Sequence, residues 1–169
     1  PGPQHRLVRI SKHGHPLLYF PPRRDLALQS LSLYPAQRLR ARAGRAALKA
    51  LCAVGLTRVL PSTVLTFPAD SPAVAFLRQV SGAGEEPPPL AISAGNPSAP
   101  GRRYILLLHD PSGRPTAVVK VGLTPHAAEL IRLETEALQS MTDRTGAAPR
   151  VLATHATGPV RALAMEHIV

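Results

Sequence analysis

The chain has 169 residues and a formal net charge of +10, from 20 Lys and Arg against 10 Asp and Glu. Trp is absent and aromatics are 4 %, so any core is built from Leu, Val, Ala and Ile, while a single cysteine excludes an internal disulfide framework and fits a reducing compartment. Lys49, Arg58 and Pro61 break the most apolar stretch, which excludes a membrane span, and with no secretory pattern at the polar, proline-rich start the expected location is the cytoplasm.

In chain order, Arg6 to Ile10 and Leu17 to Phe20 predict two short strands around a turn at Lys12 to His15. Arg24 to Leu33 reads as a helix, and Ala36 to Val54 as a longer Ala-, Leu- and Arg-rich one stopped at Gly55. Cys52 lies among Leu48, Leu51 and Val54, as a packed thiol does. Val59 to Phe67 is expected to be a strand pair around Pro61, and Ser71 to Val80 a helix with Ser71 as cap. These elements form a basic αβ segment over 1–80. The run at 81–89, rich in Gly and Pro, is expected to be a linker.

Beyond it the predicted order is strand, loop, strand, turn, strand, helix, strand, strand. The strands are Leu90 to Ser93, Tyr104 to His109, Thr116 to Val121, Arg150 to His155 and Arg161 to Ile168. Asp110 to Gly113 has hairpin-turn chemistry. Thr124 and Pro125 open a helix that runs to about Met141.

Only three lysines occur, and Lys120 sits inside the apolar run from Ala117 to Val121. An ammonium there is costly to desolvate unless an anion meets it. On the following helix, Ala127, Leu130, Ile131, Ala137, Leu138 and Met141 share one stripe at 3.6-residue spacing, with Glu134 at its centre. A carboxylate in an apolar stripe calls for a partner, and Lys120 is the natural one. A buried ion pair in an unrelated α+β domain would satisfy the same pattern. The loop from Ser93 to Ser98 has the flexibility to cover phosphates with backbone N–H groups, though it lacks a GxGxxG pattern.

The lysine strand, the helix from Glu134 to Met141, the strand entry from Ala148 to Leu152 and the run from Leu163 to Ile168 resemble the aminoglycoside phosphotransferase-like kinases, a branch of the protein-kinase fold. The resemblance covers about 90–169 and implies an α+β lobe: an antiparallel five-stranded sheet with one helix equivalent to the kinase αC helix, ending at the hinge. It implies that Lys120 and Glu134 form the ion pair that positions nucleotide phosphates, beneath a loop containing Gly95 and Asn96. Ile92, Val118 and Met165 would border the adenine, whose edge would meet the backbone from Glu166 to Ile168. ATP and Mg²⁺ are the implied cofactors. The catalytic and metal-binding carboxylates, and much of the site for a sugar, aminoglycoside or similar hydroxyl-bearing acceptor, belong to a C-terminal lobe beyond these residues. The fragment alone is therefore expected to be inactive.

A second function class rests on Arg38, Arg42, Arg45 and Lys49, which repeat at four, three and four residues and line one helix face. They fit either a contact surface for an anionic partner, as a binding or scaffold module would need, or a solvated helix face. Scarce aromatics weaken the nucleic-acid version of that surface. His13 and His15 are too short a pair for a metal site without further ligands.

Overall fold

The computed structural model describes residues 4–34, 39–68, 70–82, 84, 86–145 and 148–168. Strands β1 (Gln4–Lys12) and β2 (His15–Phe20) form a hairpin whose turn puts His13 at φ 51° and Gly14 at φ 79°. Helices α1 (Arg24–Ser30) and α2 (Leu39–Ala53) follow, with the chain tightening into a 3-10 turn at Leu31–Leu33. Then come β3 (Ser62–Thr66) and α3 (Pro72–Ser81). The second half holds β4 (Leu90–Ser93), β5 (Arg103–His109), β6 (Pro115–Gly122), α4 (Pro125–Thr145), β7 (Val151–Thr157) and β8 (Val160–Glu166).

The expected sheet of five strands with one helix is corrected here. All eight strands join one antiparallel sheet in the order β3-β1-β2-β4-β5-β6-β8-β7, with four helices among the described residues. The reason lies at β4. Its free side would leave N–H and C=O groups unpaired, and β2 supplies the partners: Leu18 lies opposite Ser93, Tyr19 opposite Ile92, and Ala94 N–H donates to Leu17 C=O at 3.0 Å. Strands from both sides of 81–89 are thus joined by hydrogen bonds. Pro87 and Pro88 in that run are buried, and His109 N–H donates to Pro89 C=O at 2.9 Å. The expected strand pair around Pro61 is also corrected: Leu56–Val59 is a 3-10 turn, and only Ser62–Thr66 is extended, paired to β1.

Side-chain alternation gives the sheet two faces. On one, α1 and α2 cover Val8, Leu18, Phe20, Ala91 and Leu107, with Ala27, Leu31 and Cys52 in the same core cluster. Farther along this face, Ile131 of α4 packs on Leu163 and Met165, with Val118 touching both clusters. On the other face, Phe76 and Leu77 of α3 pack against Leu90, Leu108, Ala117, Val119, Ala162 and Ala164. Burying each large aliphatic or aromatic side chain contributes about 1.5–3 kcal/mol, enough for Leu and Phe to replace the missing tryptophan.

The end of α4 departs from its expected stripe. Ala137 and Met141 are exposed, while Leu138 between them still packs on the cluster of Ile131, Leu163 and Met165.

Candidate functional site

Lys120 occupies β6 opposite Ile105 of β5 and Leu163 of β8. With Val118 it faces the α4 side, whereas Ala117 and Val119 point toward α3. Two local features bring α4 over this strand. Gly122 ends β6 so close to the helix that a Cβ would lie 2.7 Å from the Ala127 carbonyl carbon. Thr124 then caps the helix, its Oγ1 accepting from Ala127 N–H at 3.2 Å.

Glu134 thereby meets Lys120: Nζ donates to Oε1 in a close ion pair. Arg103, at the start of β5, donates from Nη1 to Oε2 of the same carboxylate at 2.8 Å. The side chains of Lys120 and Glu134 are each 24 % exposed and that of Arg103 is 37 %. Two cations on one carboxylate leave an excess positive charge at the open end of the face.

Arg103 was not among the expected site residues. Its signal is the hairpin register: Arg103 pairs with Gly122, so alternation puts it on the face of Ile105 and Lys120, one step diagonally from the lysine.

The loop after β4 is folded rather than loose. Gly95 adopts φ 65°, and a Cβ there would lie 2.5 Å from Arg103 O. Asn96 Oδ1 accepts from Ser98 N–H at 3.1 Å, and Arg102 Nε donates to Ala94 O at 2.7 Å while its guanidinium lies over the Tyr104 ring.

The residues expected around adenine do not converge. Ile92 lies opposite Leu106 and packs on the α3 side, away from Lys120; Ala91 and Ser93 are the β4 residues on the lysine's face. The physical reason is strand parity, since Ser93 and Ile105 stand in line with Lys120 across the sheet. Val118 is half-buried between two clusters, and Met165 is buried against Ile131. Glu166 is exposed with its N–H donating to Arg150 O at 2.9 Å, and Ile168 is 59 % exposed.

At the Glu166 end of β8 the start of α1 sits against the β5–β6 turn. A Cβ on Gly113 would lie 2.6 Å from both Arg23 Nη2 and Asp25 Oδ2. The side chain of His109 is fully buried there, and burial holds its pKa below the ordinary histidine value.

Arg42, Arg45 and Lys49 of α2 border a cavity of about 420 Å³ with Gln29, Leu31 and Ser32. Arg38 lies outside the described residues. Cys52 is buried, and desolvation pushes its thiol pKa up, so it is a poor nucleophile. Among the described residues, no three His, Cys, Asp or Glu side chains gather as metal ligands, and no helix is long and apolar enough to cross a membrane.

Compared with known proteins, the chain matches no family model, no curated protein and no solved structure. The functional reading therefore rests on its own residues.

Proposed function

We propose that this chain is the nucleotide-phosphate-binding part of a small-molecule phosphotransferase, with Lys120 gripping phosphate and Glu134 holding the lysine in place. One observation carries the reading: a strand lysine and the next helix's glutamate, 14 residues apart, meet on one face of the sheet. That is the arrangement through which kinases fix their phosphate-binding lysine. Arg103 strengthens it, because a carboxylate shared by two cations does not cancel both, and the remaining charge favours an anionic ligand.

The base meets a different environment. Ala91 and Leu107, beside Val118, are covered by the cluster that includes Ala27 and Leu31, so a purine on this face requires α1 to shift. For Mg²⁺ the residues present do not suffice, since Glu134 is engaged by two cations. In this reading, metal binding and acceptor orientation fall to carboxylates on a second lobe, and the acceptor is a hydroxyl of a sugar, aminoglycoside or similar metabolite. The chain by itself is expected to be inactive.

ATP should slow amide hydrogen exchange along β6, and Lys120→Met should abolish that protection without unfolding the chain. Equal protection in parent and variant would refute the assignment.

A second reading, a non-catalytic scaffold contacting an anionic partner, is favoured by one observation: Arg42, Arg45 and Lys49 converge on a single cavity. Binding to anionic vesicles or nucleic acid that persists near physiological salt, and that is lost when all three become Gln, would support it over the kinase reading.

A further inference from the structure

The β1–β2 hairpin tip and the loop after β4 lie at the same end of the sheet, because β2 and β4 pair antiparallel and Ala94 N–H bonds Leu17 C=O. Between them is a cavity of about 600 Å³, within the range of small-molecule sites. One side carries Lys12, His13 and His15. Ser93, Asn96 and Ser98 add hydroxyl and amide groups, and Leu17, Leu33 and Ile105 supply an apolar wall. Among the described residues, no carboxylate lines it.

We propose that this cavity binds a small phosphate monoester of an apolar alcohol, the phosphate held by the hairpin tip and the apolar group lying on Leu17, Leu33 and Ile105. Three nitrogen-bearing side chains on one short turn suit a dianion better than a carboxylate, and lysine is a common point-charge partner of phosphate. The walls are preformed. The loop approaches β5 so closely at Gly95 that a Cβ there would lie 2.5 Å from Arg103 O, and the Asn96 carbonyl accepts from Ala99 N–H at 3.2 Å. His13 holds φ 51° in a turn where glycine, asparagine or aspartate is the usual occupant, and such a backbone choice recurs at ligand-contacting positions. The site shares the loop at Gly95 and Asn96 with the nucleotide reading but not its lysine: the lining includes Ile105, the cross-strand neighbour of Lys120, and not Lys120 itself.

Phenyl phosphate titrated into the intact chain, followed by calorimetry and by amide shifts, tests the proposal. The ester should bind at least about tenfold more tightly than inorganic phosphate or benzoate. Lys12→Gln with His15→Gln should weaken it about tenfold or more, and so should His13→Asn, which keeps a residue suited to the turn. Lys120→Met should leave it within about twofold. Loss of binding in Lys120→Met would move the ligand to the other site and overturn the proposal. So would no binding, unchanged binding in the hairpin variants, benzoate or phosphate binding as tightly as the ester, or an equal loss when Arg42, Arg45 and Lys49 become Gln.

Discussion

Sharing one carboxylate between two cations makes a specific demand on stability. Glu134 is about three-quarters out of water and is held by Lys120 on one oxygen and Arg103 on the other. Replacing either cation by Met leaves the other in place. Each single variant should therefore cost about 1 kcal/mol, between the value of an exposed pair and that of a broken buried one. Removing both leaves a mostly buried carboxylate with no counter-charge, and the double variant should lose about 3–4 kcal/mol. The excess over the sum of the singles, about 1–2 kcal/mol, is the quantity to measure. Urea unfolding followed by circular dichroism, with unchanged slope against denaturant, gives all three values. The same substitutions made on a Glu134→Gln background should lose that excess. Additivity to within about 0.4 kcal/mol, or the same excess without the carboxylate, would refute the shared-anion account.

Gly95→Ala should destabilise the chain by about 2–4 kcal/mol, since it combines a left-handed backbone with a Cβ forced onto Arg103 O; a melting temperature within a degree or so of the parent would count against the loop geometry. His109 should couple stability to pH. Its folded pKa lies below the unfolded value near 6.5, so the unfolded chain binds more protons in acid, and stability is full above about pH 6.5 and falls as pH drops through it. His5, also held low by burial, adds to the same slope, so the readout is a flatter profile in His109→Met than in the parent between about pH 7 and pH 5. Identical slopes would remove His109 from the account.

Much of this architecture is legible in local sequence. Turn chemistry at Asp110 to Gly113 and the Thr124–Pro125 start of α4 bound their elements closely, and β4 coincides with its expected span. Lys120 and Glu134 stand out because each is an awkward charge among apolar neighbours, and such charges seek each other. What escapes local reading is long-range pairing. Nothing in Leu17 to Phe20 states that these residues will bond β4, and a run of Gly and Pro suggests separation even where Pro87 and Pro88 are buried. Arg103 escapes for a related reason: with the strand expected from Tyr104, it looks like a solvated loop cation until register aligns it with a carboxylate on a distant helix. Ile92 shows the limit of hydrophobicity alone, since a β4 residue equally apolar on either face gives no clue to parity.

The bond between β2 and β4 also has a consequence for how the protein is made. During synthesis the first hairpin leaves the ribosome long before its neighbour, because α1, α2, β3 and α3 are all translated between them. Until Leu90 to Ser93 appears, the outer side of β2 has nothing to bond, and the apolar faces of Leu18 and Phe20 depend on α1 and α2 for cover. Closing such a distant pairing is entropically slow. A nascent chain stalled before residue 90 would carry a bare, strand-ready margin, the kind of surface that holdase chaperones shield and that drives co-translational aggregation when they are scarce.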